Sequence, residues 1–283
     1  MNKIKVSELF YSIQGEGQYV GTPSIFLRTF GCNLSCSGFG MPEGQRSTER
    51  DIVATKVANF TDYKQLPLVS TGCDSYASWD PRFKHLSPVM TISAIVDRMQ
   101  ELLPSGKFSE NKHLIITGGE PLLPGWQKQY TALFKEIELR NMNLTHVTFE
   151  TNGTQYLSED LAECLWNLPH IEFTFSISAK LPVSGENWSI TIQPNVVREY
   201  LEFTATSYFK FVVASEQDIK DATRAVTQYK ESGIDIPVYL MPVGGTNEVY
   251  SQYEKNVAKF CLQNGLRFSP RIQVPLFKNA WGT

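Results

Sequence analysis

Three absences restrict what this chain can be. The sequence has no apolar run long enough to cross a bilayer, and its opening segment, MNKIKVSELFYSIQGEG, lacks the apolar core of a signal peptide. Its net charge of −3 provides no basic surface for nucleic acid. It contains no internal repeat and no low-complexity tract. We therefore expect a cytoplasmic globular protein with neither a membrane segment nor a nucleic-acid partner.

Cysteine and histidine are scarce, with five and four residues among 283. In a reducing compartment, cysteines serve as thiols or metal ligands more often than as disulfides. The remaining composition is that of an ordinary globular protein, 42% hydrophobic and 19% charged. A chain of this length buries roughly three quarters of its unfolded surface. One domain over residues 1–283 is therefore predicted to fold without disulfide bonds.

Short apolar and β-branched runs alternate with helical patterns along the chain. Strands are predicted at 24–30, 113–117, 146–150, 173–177, 209–214 and 237–241, with a last extended stretch at 271–277. Helices are predicted from Thr91, Trp126, Ser158, Ser215 and Tyr250, the last of them ending at Gly265. Strand followed by helix, repeated this often, indicates an α/β fold whose parallel sheet forms a full or partial barrel.

Polar signatures follow five of these strands: GCNLSC, GGEP, TNG, SAK and PVGG. The carboxyl ends of parallel barrel strands share one rim, and in such folds the rim carries the chemistry. The sequence therefore predicts a functional site there. Residues 37–72 do not fit the alternation of strand and helix. They are predicted to be an insertion into the rim, with a short helix within 51–60.

The cysteines divide into two groups. Cys32 and Cys36 lie in the polar turn GCNLSC, and Cys73 follows a glycine in STGCDSYASW, whereas Cys164 and Cys261 lie in amphipathic helical patterns that favour core packing. Bringing Cys73 to the first pair closes a long loop, which costs roughly 2.5 kcal/mol more than closing a two-residue loop. Structural metal ligation contributes on the order of 10 kcal/mol. A shared metal site is therefore feasible, and three small buried hydrophobic residues are the alternative interpretation.

The motifs around these cysteines resemble a known family. Three thiolates on an iron–sulfur cluster leave one iron with an open coordination position. A CxxxC start on a rim with a downstream GGEP resembles the radical S-adenosylmethionine superfamily. More narrowly, FYSIQGEGQYVGTPSIFLRTFGCNLSC, CDSYASW, ITGGEP, ETNG and SPRIQV resemble the 7-carboxy-7-deazaguanine synthase family over nearly the whole chain.

The resemblance implies a fold and an activity. The fold is a partial (β/α) TIM-like barrel of the radical S-adenosylmethionine type, with 37–72 inserted between the second and third cluster ligands. A [4Fe–4S] cluster bound by Cys32, Cys36 and Cys73 would hold S-adenosylmethionine at its open iron and receive an electron from a flavodoxin or ferredoxin. The resulting radical would drive ring contraction of 6-carboxy-5,6,7,8-tetrahydropterin to 7-carboxy-7-deazaguanine with loss of ammonia. The family also implies a homodimer.

The resemblance assigns two sets of binding residues. The residues assigned to S-adenosylmethionine are Gly118, Gly119, Glu120, Ser178, Ala179, Lys180, Met241 and Pro242. The two glycines permit close backbone approach and Glu120 offers an anion to the cofactor's ammonium, although GGEP is also compatible with a plain turn. The residues assigned to the substrate are Ile13, Gln14, Gly15, Glu16, Arg28 and Thr117.

Physical chemistry supports these substrate assignments. Glutamine and glutamate can read the amide and amino edges of a pterin, and arginine suits its carboxylate as a bidentate partner. Two alternatives stay open: Arg28 as a snorkelling surface residue, and Glu16 as a residue that caps or turns the chain.

Three departures from the family pattern are visible. Ser75 stands where the family has the threonine of CDT, so the hydroxyl for Mg²⁺ is retained without its methyl group. Ala179 replaces the proline of Ser-Pro-Lys, which removes backbone stiffness. Cys73 lies far from Cys36, whereas the family's second and third cysteines are two residues apart.

Two other functions compete with this one. The first is a different radical S-adenosylmethionine enzyme or an activase, against which QGEG and Arg28 argue because they lie outside the cofactor machinery. The second is a zinc-binding protein without catalytic activity, in which His85 completes a site with the three cysteines.

Overall fold

The computed structural model describes residues 2–108 and 111–283. Within them nine strands form one sheet: β1 (Lys3–Ile13), β2 (Pro23–Thr29), β3 (Val89–Thr91), β4 (His113–Gly118), β5 (His146–Thr151), β6 (Glu172–Ile177), β7 (Tyr208–Val213), β8 (Val238–Pro242) and β9 (Arg267–Phe268). Their order is β3-β1-β2-β4-β5-β6-β7-β8-β9. β1 pairs antiparallel with both β2 and β3, and every pairing from β2 to β9 is parallel.

The helices alternate with the parallel strands as predicted. They are α1 (Glu49–Ala54), α2 (Ile92–Leu102), α3 (Pro124–Leu139), α4 (Glu159–Trp166), α5 (Trp188–Thr191), α6 (Pro194–Tyr200), α7 (Glu216–Glu231), α8 (Asn247–Asn264) and α9 (Gln273–Phe277). The predicted boundary signals form as expected, because Ser158 and Ser215 cap α4 and α7 and Gly265 ends α8 in the left-handed region.

The sheet makes the predicted partial barrel, and a chain segment fills its open side. The loop after β1 contacts the segment after β9. The backbone N–H of Gly17 donates to the Ser269 hydroxyl at 2.8 Å, and the N–H of Ile272 donates to the Gly15 carbonyl at 3.1 Å. A Cβ on Gly15 would lie 1.8 Å from Gln273 Oε1. This close approach requires glycine, and it brings residues 14–16 into the barrel interior.

One predicted element is wrong, and β1, β3, β9, α5 and α6 were not predicted. The stretch 271–277, predicted as extended, contains the helix α9, because contacts of Ile272 and Gln273 with the loop after β1 fix this segment from outside. β1 is absent from the prediction. Its alternation of apolar and polar residues is interrupted by a bulge between Val6 and Glu8, which shifts the buried face by one residue.

The main apolar core lies between the sheet and helices α2, α3, α4, α6, α7 and α8. The predicted insertion, residues 37–72, contributes Val53, Leu66 and Val69 to a second, smaller core. Trp281 packs against this cluster, with its ring edge-on to Tyr76 and its Nε1–H donating to the Leu66 carbonyl at 2.9 Å. Within residues 2–108 and 111–283, no helix is both long enough and apolar enough to cross a bilayer.

Candidate active site

One cavity opens at the carboxyl ends of the parallel strands. Each of the five predicted rim signatures contributes to its lining, represented by Cys32, Gly119, Asn152, Lys180 and Gly244. The parallel register explains this convergence, since the strands end side by side and each is followed by a polar turn. The five signatures therefore meet at one rim, as the parallel arrangement predicts.

The thiols of Cys32, Cys36 and Cys73 line the same cavity, although 36 residues separate the last two. Burial raises the pKa of each thiol, that of Cys32 to about 12, and Glu120 adds to the rise at Cys32. Lys180 acts in the opposite direction on all three. Such thiols ionise when a metal centre binds them, because its positive charge stabilises the thiolate. Cys164 and Cys261 do not line the cavity and pack against the main core.

The loop that carries the first two cysteines, residues 31–38, is fixed by its neighbours on the rim. The Gly31 carbonyl accepts the Glu120 backbone N–H at 2.8 Å. A Cβ on Gly119 would lie 2.4 Å from that carbonyl, so GGEP contacts the loop directly. Asn33 donates to the Thr154 hydroxyl and accepts from the Asn152 amide, both at 2.9 Å. The loop is thereby attached to two neighbouring strand ends.

Cys73 is positioned by a different set of contacts. The indole Nε1–H of Trp79 donates to the Cys73 sulfur at 3.3 Å. The next residue, Asp74, accepts from Arg271 Nη2 at 2.5 Å, and Arg271 also donates to the Gly244 carbonyl. A buried arginine from the segment after β9 therefore links the remote cysteine turn to the rest of the rim.

Three cysteine thiols that line one cavity are a donor set that an iron–sulfur cluster can take. Zinc ligands must converge on one point, with sulfurs about 3.8 Å apart around the ion. Among residues 2–108 and 111–283, no group of three histidine, cysteine or acidic side chains has that arrangement. His85 is exposed and does not line the cavity. A cubane binds its three cysteines at separate corners, so thiols that surround a cavity suit it.

The predicted S-adenosylmethionine residues fall into two layers. Gly118, Gly119, Ser178, Lys180 and Met241 line the cavity, and Lys180 Nζ donates to the Ser178 hydroxyl at 2.8 Å. Buried behind this layer, outside the lining, are Glu120, Ala179 and Pro242.

Glu120 has its own hydrogen-bond partners. Its carboxylate accepts from the Leu122 and Asn152 backbone N–H groups at 2.9 and 2.7 Å and from the Thr151 hydroxyl at 2.8 Å. Burial raises the pKa of Glu120 despite these bonds. In the structure this carboxylate supports the GGEP and TNG turns from beneath.

The predicted substrate residues Ile13, Gln14, Gly15, Glu16, Arg28 and Thr117 all line the cavity. Gln14 Nε2 donates to Glu150 at 3.1 Å, and Gln14 Oε1 accepts the Glu16 backbone N–H at 3.0 Å. Glu16 accepts from Lys210 Nζ at 2.5 Å and from Arg271 Nε at 3.0 Å. Burial alone would raise the pKa of Glu16, but these two cations hold it far below its ordinary value. The floor of the cavity is therefore a compensated charge network.

Arg28 lies inside the cavity rather than on the outer surface. Its Nε contacts Glu8 at 2.7 Å, and its Nη1 donates to the Ser75 hydroxyl at 3.4 Å and the Gly118 carbonyl at 3.3 Å. The side chain is 18% exposed. Arg28 thus joins the Ser75 turn to β1 and to the end of β4, and the snorkelling alternative is wrong.

Several charged residues of the cavity were missed by the sequence prediction: Glu8, Asp74, Glu150, Lys210 and Arg271. Lys210 could have been recognised as a candidate, because it is the one charged residue in the apolar strand FKFVVA. Arg271 lies in SPRIQV, one of the motifs that carry the family resemblance. Glu8 was hidden because β1 was not predicted.

Several known proteins are similar to this chain over nearly its whole length. No family model matches the chain. The 7-carboxy-7-deazaguanine synthase of Halobacterium salinarum is 27% identical over 98% of this chain and 91% of its own length, and that of Pyrobaculum aerophilum is 26% identical over 99% and 97%. The enzyme of Rhodopirellula baltica is 27% identical over 100% of this chain and 90% of its own length. The chain is a relative of the 7-carboxy-7-deazaguanine synthases.

The relationship to the 7-carboxy-7-deazaguanine synthases covers the fold as well as the sequence. The crystal structure of QueE from Escherichia coli superposes with a TM-score of 0.52 at 20% identity, covering 94% of this chain and 93% of that chain. At this identity the superposition concerns the fold alone, and it supports the predicted α/β fold with a partial barrel.

Proposed function

We propose that this chain is a 7-carboxy-7-deazaguanine synthase that contracts the ring of 6-carboxy-5,6,7,8-tetrahydropterin with loss of ammonia, in 7-deazapurine biosynthesis of the queuosine type. One observation carries the proposal. The three thiols, Gly118 and Gly119 line the same cavity as Gln14 and Arg28. Cofactor residues and substrate residues therefore face one enclosed space, as a reaction between a bound radical source and a bound pterin requires.

The cofactors are proposed from the donor set. Cys32, Cys36 and Cys73 would hold a [4Fe–4S] cluster, with S-adenosylmethionine against Gly118, Gly119 and the Ser178–Lys180 segment. When bound, this pair supplies the radical that removes hydrogen from the substrate. Lys180 adds positive charge beside the thiolates and the methionyl carboxylate. Met241 offers an apolar contact, while Glu120, Ala179 and Pro242 would support this surface from behind.

The substrate side is proposed from hydrogen-bonding capacity. Arg28 presents a guanidinium that suits the pterin carboxylate, and Glu8 holds it in place. Gln14 and Glu16 sit on the floor of the cavity with amide and carboxylate groups that match the pterin edge. Thr117 is buried beside them at the end of β4. Lys210 and Arg271 keep Glu16 ionised, so that it accepts hydrogen bonds.

Three finer features belong to the same proposal. Ser75 would contribute a hydroxyl to Mg²⁺, with waters and substrate oxygens as the other ligands. An electron donor such as a flavodoxin or ferredoxin would reduce the cluster. The chain would act as a homodimer, with residues 37–72 as an insertion within one domain.

An anaerobic assay tests the function. Reconstituted protein with S-adenosylmethionine, a reductant and 6-carboxy-5,6,7,8-tetrahydropterin is expected to release 5′-deoxyadenosine and 7-carboxy-7-deazaguanine, which mass spectrometry separates. Formation of 5′-deoxyadenosine without the deazaguanine would instead favour another radical enzyme or an activase. A colourless protein that retains zinc would contradict the proposed enzymatic function.

A further inference from the structure

Glu186 holds the turn on which Cys36 sits. Its Oε1 accepts the backbone N–H of Cys36 at 2.6 Å, the backbone N–H of Ser35 at 2.7 Å and the Ser35 hydroxyl at 3.0 Å. Three donors from two adjacent residues thus converge on one carboxylate oxygen. Charge-assisted bonds of this kind are shorter and stronger than neutral ones.

The backbone of Cys36 needs external support. Its φ is +48°, in the left-handed region that residues other than glycine rarely adopt. Such a conformation persists only where the surroundings determine it. Glu186 binds the N–H of this residue and of the one before it, so it acts directly on the strained backbone.

A second contact attaches the same turn to the segment that carries Glu186. The N–H of Gly38 donates to the Ser184 carbonyl at 2.9 Å, and a Cβ on Gly38 would lie 2.6 Å from the Gly185 nitrogen. Ser184 in turn accepts the Glu186 N–H at 3.3 Å through its hydroxyl. Residues 184–186 therefore form a platform under Ser35–Gly38.

The spacing of the cysteines explains why the Cys36 turn needs this platform. The third cysteine lies 37 positions after Cys36, so a short loop to it cannot shape the Cys36 turn. The insertion binds the chain just after Cys36, where the Ser47 N–H donates to the Ser37 carbonyl and the Gly72 N–H to the Phe39 carbonyl, both at 2.7 Å. The N–H groups of Ser35 and Cys36 themselves are bound by Glu186, from another part of the rim.

We propose that Glu186 is a positioning residue that sets the Cys36 thiol for cluster binding and raises the energy of the reduced cluster. The proposal rests on the cluster of the proposed function. The carboxylate places negative charge next to Cys36, and it occupies two backbone N–H groups that could otherwise donate to cluster sulfur. Both effects disfavour an added electron and lower the reduction potential.

Two substitutions separate position from charge. Glu186→Ala removes the acceptor, whereas Glu186→Gln keeps an oxygen acceptor and removes the charge. Glu163→Ala and Glu163→Gln are matched controls, because Glu163 is exposed on α4. For every variant, circular dichroism and the melting temperature of the cluster-free protein report whether the chain folds.

The first measurement does not need the cluster. Amide hydrogen exchange of residues 33–38 in cluster-free protein is expected to be about tenfold faster in Glu186→Ala, because loss of bonds to a charged acceptor frees the turn. Exchange in Glu186→Gln is expected to lie between that variant and the wild type, and both Glu163 variants should match the wild type. Unchanged exchange in Glu186→Ala would overturn the positioning role.

The second measurement uses reconstituted protein. Glu186→Ala is expected to retain less than half of the wild-type iron and sulfide, while Glu186→Gln retains most of it and shows a more positive midpoint potential in an EPR-monitored titration. Equal iron content in all variants, together with an unchanged midpoint potential, would contradict the role of Glu186 and would leave the proposed function standing. A wild-type chain that takes up no cluster would overturn the proposed function and the cluster role of Glu186 with it, leaving hydrogen exchange to decide whether Glu186 positions the turn.

Discussion

Arg271 and Asp74 are joined by an ion pair of 2.5 Å that connects the segment after the last strand to the turn of the remote cysteine. Arg271 also contacts Glu16 at 3.0 Å, so one guanidinium bridges the floor of the cavity and its cluster side. Its side chain is 8% exposed. Arg271 helps to hold the pKa of Glu16 far below its ordinary value, and both carboxylates raise the pKa of Arg271.

Arg271→Gln is expected to destabilise the fold by less than the about 3–5 kcal/mol of a fully buried pair, because Asp74 loses its cation while Glu16 keeps Lys210. Arg271→Lys keeps the charge but not the planar guanidinium with its paired donors, and it should lose less stability than Arg271→Gln. Urea unfolding monitored by circular dichroism measures both. Equal stability of wild type and Arg271→Gln would show that the bridge contributes nothing to the fold.

Arg28→Ala is expected to weaken binding of the pterin more than binding of S-adenosylmethionine, because Arg28 lies between Glu8 and Ser75 on the substrate side. Loss of a charge-assisted contact corresponds to about 1.5–3 kcal/mol. Isothermal titration under anaerobic conditions measures both ligands. Arg98→Ala, an exposed arginine on α2, is the matched control. Equal weakening of the two ligands in Arg28→Ala would contradict its assignment to the substrate.

The pair His113 and His146 predicts a pH dependence of stability. Their rings stack 4.5 Å apart at the amino ends of β4 and β5, and Tyr19 packs edge-on against His113. Burial, and then the neighbouring His146, lower the pKa of His113 from 6.5 to about 4, with Glu172 opposing the change. The unfolded chain therefore takes up a proton near pH 6.5 that the folded chain refuses until about pH 4.

Because of His113, the free energy of unfolding should accordingly fall by up to about 3 kcal/mol as the pH falls from about 6.5 to about 4. Above pH 7 His113 should have no such effect. His113→Phe keeps an aromatic ring in the stack and removes the titrating group. The free energy of unfolding at pH 7.5 and 4.5 should fall less in this variant than in the wild type. An identical fall in both proteins would rule out His113 as the source.

Trp281 is expected to hold the insertion against the barrel. Trp281→Phe retains an aromatic contact with Tyr76 but loses the bond to the Leu66 carbonyl, whereas Trp281→Ala loses both. Because Trp281 is half-buried, the alanine variant should lose about 2 kcal/mol, less than a fully buried tryptophan would. Limited proteolysis should cut within residues 37–72 fastest in Trp281→Ala. Cleavage at the wild-type rate would contradict this role.

Much of the fold and the site was predictable because it depends on local pattern. The apolar parallel strands and their capped helices follow from periodicity, and the polar turns after them follow from the parallel arrangement. β1 was not predictable in this way, since its bulge disrupts the alternation and brings Glu8 inside. α9 depends on contacts with the loop after β1, which are distant in sequence.

The charge network illustrates the same limit. Glu16, Lys210 and Arg271 come from three distant segments, and only the folded chain shows that they compensate one another. Glu120 was predicted from its motif, but its three hydrogen bonds beneath the rim become visible only when the GGEP and TNG turns meet. Motifs thus identified the site, and long-range contacts decide how its residues are arranged.

The central claim is that Cys73 completes a cluster site begun by Cys32 and Cys36. Iron and sulfide analysis after anaerobic reconstitution tests it most directly, with Cys164→Ala and Cys261→Ala as controls because both thiols lie outside the cavity. We expect about four iron and four sulfide per chain in the wild type and both controls, and loss of the cluster in Cys73→Ala. Wild-type iron and sulfide in Cys73→Ala would contradict the account.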